Sequence, residues 1–116
     1  MTDRELLELA AKAAGINTII WTESPRSKGQ TAGCIWNGVG HGDTAELWNP
    51  LTDDGDALRL AVKIGRSRTL QLVVGVGGAD CQFDHPLVTA FESGDDPYAA
   101  TRRAIVRAAA EIGRTM

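Results

Sequence analysis

Four side chains of the types that bind metals or act as nucleophiles occur in this chain: Cys34, His41, Cys81 and His85. Thiolate and imidazole are the usual ligands of zinc, and the spacing from Cys81 to His85 would suit half of a site. Cys34 and His41 lie in a separate glycine-rich stretch, and the chain has no CxxC or HxxxH pair. We therefore predict two unligated thiols and two loop imidazoles, with no metal and no cofactor.

The spacing of these residues also fails to match known catalytic and cofactor-binding patterns. A cysteine nucleophile needs an oriented base, but adjacent residues of an extended chain point to opposite sides, so Asp84 is poorly placed to orient His85. The glycines at 75, 77 and 78 invite comparison with a dinucleotide fingerprint, but Asp80 holds the third glycine position and no helix follows. A hairpin turn at 77–80 fits this stretch better, and we predict that the protein is not an enzyme.

Acidic residues cluster at Asp53, Asp54 and Asp56, where a calcium loop is one interpretation. With Gly55 at the sixth position of an EF-hand, Pro50 would be the first ligand, so the pattern is not met. The same acids suit a helix N-terminus, where side-chain oxygens cap free N–H groups and the helix dipole favours negative charge.

Arginine outnumbers lysine nine to three, and several arginines fall on one face of the last helical segment. Arg102, Arg103 and Arg107 could form a patch for phosphate or for an acidic partner, because guanidinium binds such groups with two hydrogen bonds. The alternative, which we favour, is a solvated cationic face, because cations suit the C-terminal half of a helix. Trp36 borders the glycine-rich stretch and His41 lies within it, and both are further candidate binding residues.

Local patterns place these residues on seven elements. Thr2 and Glu5 form a capping box that starts a helix over 3–14, which Gly15 ends. A second helix follows an N-cap at Thr52 or Asp53 and stops at Gly65, and a third runs from Pro97 to a stop at Gly113. Strands are predicted at four stretches: 16–22, 34–37, 69–76 and 87–92.

The resulting order, α-β-β-α-β-β-α, predicts a single α+β domain over residues 1–116. Its sheet is small and mostly antiparallel, with amphipathic helices packed on it and partial cover on both faces of the strand at 69–76. Trp48 is expected to pack on the second helix. The 116 residues suffice for one core without disulfide or metal support.

Composition restricts the partners. A net charge of −3 argues against bulk nucleic-acid binding, which usually needs a basic domain. No apolar run approaches the roughly 18 residues of a membrane span. The first residues lack the order of a signal peptide, so we expect a cytoplasmic setting with reduced cysteines.

Four segments resemble a known group of proteins: Trp-Asn-Pro at 48–50 and the stretches 6–15, 52–63 and 96–109. They are similar to small phage and prophage proteins of the phage α-β-α sandwich domain family, and more distantly to NinX-type phage proteins. The resemblance implies phage or prophage origin and an α/β sandwich architecture. The family has no assigned reaction, so it implies no site residues.

Together these observations predict an accessory binding protein that engages a host macromolecule in a bacterial cytoplasm. A host protein or complex of a defence system, such as CRISPR or another immunity system, is the expected partner. The alternative is a protein that sequesters a nucleotide-like messenger, with arginines on its phosphate and Trp36 stacked on its base. A metal-dependent enzyme ranks last. An open sheet edge would also allow a two-fold homodimer, which the sequence does not decide.

Overall fold

The computed structural model describes the backbone of residues 2–16, 19–23, 31–35, 46–84 and 87–116, and the side chains of residues 2–16, 48–84 and 87–116. Three helices and six strands occur in these ranges: α1 (Asp3–Ala13), β1 (Ile19–Glu23), β2 (Thr31–Ile35), β3 (Glu46–Trp48), α2 (Asp54–Gly65), β4 (Leu70–Gly75), β5 (Gly78–Phe83), β6 (Val88–Ser93) and α3 (Pro97–Arg114). The predicted α+β class is confirmed.

The strands form two antiparallel sheets of three, ordered β1-β2-β3 and β4-β5-β6. Each half of the chain thus holds one strand more than the predicted order. The predicted hairpin turn is confirmed, but its predicted bounds, 77–80, are wrong, because the reversal needs only Val76 and Gly77 and β5 begins at Gly78. Gly77 takes a positive φ of +93° in this turn.

Helix starts follow the prediction closely. The Oγ1 of Thr2 accepts the N–H of Glu5 at 3.2 Å, and the Oδ2 of Asp53 accepts the N–H of Asp56 at 2.8 Å. Asp96 caps α3 directly before Pro97. Each cap satisfies a backbone donor that the helix itself leaves free.

Helix ends follow it less well. Gly15 has a φ of +76° and ends α1 as predicted. The helix α2 ends at Gly65 as predicted, whereas α3 continues one residue past Gly113, and the capping residues Arg66 and Thr115 are in right-handed conformations. Neither glycine therefore serves the left-handed turn for which a C-terminal glycine is usually selected.

The core lies between α1, α2 and α3 on one side and the β4–β6 sheet on the other. The side chains of Ala79, Cys81, Phe83 and Ala90 face the helices and are buried. Trp48, at the end of β3, belongs to the same core. Its burial is consistent with the predicted packing on α2, which stays a prediction.

The second face of the β4–β6 sheet differs from the expectation. Leu72, Val73 and Val74 point alternately to the two sides of β4, yet all three remain exposed. Leu70 packs partly against the core, so the predicted partial cover holds on the helix side of β4 and is wrong for the second face, where Val73 is exposed. Antiparallel sheets commonly leave one mostly polar face to solvent, and most residues of this second face are polar.

Candidate interaction surface

Arg102 is held inside the protein rather than presented to a ligand. Its Nε donates to the carbonyl of Leu51 at 2.9 Å, and its Nη1 donates to Oδ1 of Asp54 at 2.6 Å. Only 17% of its side chain is exposed. Arg102 therefore connects α3 to the turn that precedes α2, and its guanidinium is already engaged by two acceptors.

Arg103 and Arg107 lie one turn apart on α3 and share Glu92 of β6 as a partner. Nη1 of Arg107 donates to Oε1 of Glu92 and to the carbonyl of Phe91. Nε of Arg103 lies 3.7 Å from the same Glu92 oxygen, and its Nη1 donates to Oδ1 of Asp3 at 3.1 Å. A carboxylate of the chain itself thus occupies the position between the two guanidiniums that an anionic ligand would take.

A cavity of about 530 Å³ lies beside this pair, and Arg103, Arg107, Glu92 and Glu111 contribute both signs of charge to its lining. The structure therefore brings Arg103 and Arg107 together and directs Arg102 elsewhere. Trp36 and His41, the other two candidate binding residues, lie outside the described residues.

Of the four Cys and His residues considered for metal binding or nucleophilic chemistry, only Cys81 has a described side chain, because Cys34 and His85 also lie outside the described side chains. Burial, together with the smaller effect of the nearby Asp80 charge, raises the pKa of the Cys81 thiol to about 12. Cys81 is thus a protonated core residue at neutral pH, unlike a nucleophile or a metal ligand. Within the described ranges, no group of three Cys, His, Asp or Glu side chains could hold a metal ion.

The outer face of the β4–β6 sheet carries a row of residues that the sequence did not single out. The strand register places Val73, Asp80 and Phe91 side by side on this face. Val73 is 53% exposed and Phe91 is 61% exposed. We call these three residues the outer row.

Asp80 is the unusual member of the outer row. Its Oδ1 is buried and has no hydrogen-bond partner, the one such side-chain atom found among the described residues. Buried polar atoms are almost always paired, because an unpaired acceptor loses its hydration without compensation. The outer row therefore combines exposed apolar surface with an acceptor that lacks a donor.

Phe91 also has a local role. A Cβ placed on Gly78 would lie 2.8 Å from Cζ of Phe91, so the ring covers the bare backbone of that glycine. Such cover of a strand glycine by a diagonal aromatic ring supports the local pairing of the strands. The ring is consequently held against the sheet while most of its surface faces solvent.

A second apolar surface lies on the helix side, next to β4. Leu58, Leu72, Val74 and Tyr98 line a groove of about 530 Å³ whose lining is predominantly apolar. Val62 follows Leu58 by one turn of α2 and is also exposed. We call these five residues the groove patch.

The outer row and the groove patch could not be read from periodicity alone. Alternation correctly indicated that Leu72 and Val74 share a face of β4, but it does not report whether another element covers that face. The absence of any charge from 69 to 79 was the available signal, since exposed strands usually carry some.

Comparisons with known proteins add no assignment, because the chain matches no family model, no curated protein and no solved structure. Across the described part of the chain, no helix has the length and apolar character that crossing a membrane requires.

Proposed function

We propose that this protein is an accessory binding protein that acts by contact with another protein and not by catalysis. The observation that carries the proposal is the outer row, in which Val73 and Phe91 flank the unpaired Oδ1 of Asp80. Exposed apolar residues around a polar group that lacks its partner are typical of a surface that another protein covers.

The shape of this surface supports a protein partner over a small ligand. Ligand sites are usually concave and enclose most of the ligand, whereas the outer row lies on the open face of a three-stranded sheet. A protein partner would bury Phe91 and supply an N–H or a cation to the carboxylate of Asp80, which as a whole residue is only partly buried. A hydrogen bond to a charged group contributes more to binding than a neutral one, so this donor would also select the partner.

The resemblance to phage and prophage proteins makes a host protein in a bacterial cytoplasm the partner we propose, with defence systems as the first class to examine. A nucleotide-like ligand receives less support, because Glu92 already neutralises Arg103 and Arg107. Such a ligand would have to displace that carboxylate before its phosphate could bind.

The test is capture of a partner from the bacterial host by tagged protein, followed by reconstitution of the complex from purified components. We compare wild type with Phe91→Ala, which truncates the outer row, and with Tyr98→Ala, which truncates an exposed aromatic of the groove patch. The proposal predicts one stoichiometric partner that Phe91→Ala loses and Tyr98→Ala retains.

Thr89→Arg provides a second outer-face variant, since Thr89 is exposed on the same face as Phe91 and its side chain does not cover Gly78. Circular dichroism and thermal unfolding establish that each variant is folded. The proposal is wrong if folded Phe91→Ala and Thr89→Arg both capture the partner as wild type does, or if wild type captures no stoichiometric partner.

A further inference from the structure

We propose that two copies of this chain associate through β4, joining their β4–β6 sheets into one antiparallel sheet of six strands. This inference concerns the strand edge and the groove patch; of the outer row it involves only Val73, through the backbone of β4. It begins with the position of β4, which pairs with β5 on one side and with no other described strand on its second side.

The edge of β4 lacks the features that normally protect an edge strand. Its six residues contain no charge and no proline, and they pair one-to-one with β5 without a bulge. Edge strands of monomeric proteins usually carry at least one such feature, because free N–H and C=O groups attract another strand. At about 3.3 Å per residue, β4 offers an edge of roughly 20 Å.

The groove patch extends the same apolar surface from the strand onto the helices. Its five side chains are between 38% and 66% exposed and come from α2, β4 and the start of α3. Side chains of this size at this exposure present on the order of 400 Å² of apolar surface. With the β4 backbone added, the total comes near the ~600 Å² per partner at the lower end of stable protein interfaces.

A second copy is the occupant that fits this surface best, because β4 is complementary to itself. A two-fold axis perpendicular to the sheet places two identical strands antiparallel and keeps the helix sides of both copies together. Strand pairing joins residues of the same face, so Leu72 of one copy would lie beside Val74 of the other, with Val73 on the axis.

Charge does not oppose this arrangement. The ionic groups bordering the groove, Asp54 and Arg102, are already paired with each other. The two groove patches would therefore meet as neutral apolar surfaces, with Leu58 and Val62 of each α2 facing their counterparts. The joined sheet leaves both outer rows on its opposite face, open to the partner proposed above.

The test measures the mass of the full chain in solution by light scattering and sedimentation at concentrations up to about 100 µM. We expect a dimer of twice the 12.3 kDa of one chain. Leu58→Glu on α2 and Val74→Lys on β4 each place a charge in the joint surface. Each should raise the dimer dissociation constant by about 30-fold or more, as loss of a hot spot does.

Phe91→Ala is the matched control, since it removes an exposed apolar side chain from the outer face and should leave the dimer intact. Thermal unfolding of each variant verifies that it folds, and Leu58→Glu, a substitution at an exposed helix position, is expected to do so. Amide hydrogen exchange in β4 provides a second readout and should be slower in the dimer than in folded Leu58→Glu.

The inference is overturned if wild type stays monomeric throughout, if it forms open-ended oligomers, or if both variants dimerise as wild type does. None of these results bears on partner capture by the outer row. Conversely, a dimer that responds to Leu58→Glu and Val74→Lys supports the inference even where the capture experiment fails.

Discussion

At the scale of single residues, the charged side chains at the start of α2 bind other groups of the same chain. Asp53 caps α2, Asp54 binds Arg102, and Asp56 accepts the backbone N–H of Asn49 at 3.0 Å. The acidic cluster at the start of α2 was correctly predicted to be structural. Its pairing with Arg102 was not, because that contact spans 48 positions of the chain.

The Arg102 contacts predict a stability effect. Arg102→Ala would leave the Leu51 carbonyl without its side-chain donor and Asp54 without its cation, so we expect a loss of about 1–2 kcal/mol in the free energy of unfolding. The exposed side of Asp54 keeps this effect below that of a fully buried pair. Arg102→Lys should recover only part of it, because lysine cannot bind both acceptors in the same planar geometry.

Urea unfolding measures this effect, and Arg114→Ala is the control. Arg114 is largely exposed and lies 3.6 Å from Glu111 on its own helix, an arrangement worth less than about 0.5 kcal/mol. Equal losses in the free energy of unfolding for Arg102→Ala and Arg114→Ala would show that the Arg102 contacts contribute no more than an exposed ion pair within one helix.

Cys81 predicts a distinct chemical behaviour. With its pKa raised from 9.0 to about 12, the folded thiol stays protonated over the range in which an unfolded thiol ionises. In a Cys34→Ser background, we expect iodoacetamide to modify Cys81 only in molecules that have unfolded. From pH 7 to 9 the labelling rate should therefore rise only as far as unfolding and the ionisation of the unfolded thiol account for. Rapid labelling of the folded protein at pH 8 would contradict the assigned burial.

At the scale of elements, helix starts were predictable from sequence and helix contacts were not. A cap depends on residues two or three positions apart, such as Asp96 and Tyr98, so the local pattern contains the whole interaction. The role of Gly113 depends on α1, about a hundred residues away. A Cβ at this position would lie 2.0 Å from the carbonyl oxygen of Leu9.

The close packing at Gly113 predicts that Gly113→Ala changes stability in the direction opposite to the one that helix propensity alone gives. Helix propensity alone would make Gly113→Ala stabilising by about 1 kcal/mol. The close approach of α1 and α3 makes it destabilising instead, by about 1–3 kcal/mol, since the added methyl group meets backbone that cannot rotate away. Thermal or urea unfolding measures the sign directly.

Gly94→Ala is the control for this prediction, because among the described residues no atom beyond its two chain neighbours lies within 4 Å of the position its Cβ would take. Its effect should be neutral or slightly stabilising. A stabilised Gly113→Ala protein would mean that α1 and α3 are not packed as closely as described.

At the scale of the whole molecule, α3 is the central element. Its arginines form ion pairs with three different elements: Arg102 with Asp54 of α2, Arg103 with Asp3 of α1 and Arg107 with Glu92 of β6. These three arginines, which suggested an anion-binding face, thus join the helices and the sheet. Partly exposed pairs of this kind contribute modestly each, so their combined role is to orient the elements.

The α+β class followed from sequence because amphipathic helices and apolar strand patterns are local properties. The candidate surfaces did not follow from sequence, because the exposure of a residue depends on which other elements of the fold pack against it. Val73, Asp80 and Phe91 come from three strands and become neighbours only through the register of the sheet. No spacing in the sequence encodes that arrangement, and the resemblance to phage proteins offered no site residues to compare with it.

The central claim is that the outer row binds a protein partner, and the affinity of the reconstituted complex tests it most directly. Calorimetric titration of the captured partner should give a dissociation constant at least about 30-fold higher for Phe91→Ala than for wild type, as expected of an aromatic hot spot. Tyr98→Ala, on the opposite side of the sheet, should bind as wild type does. Equal affinities of wild type and folded Phe91→Ala would contradict the account.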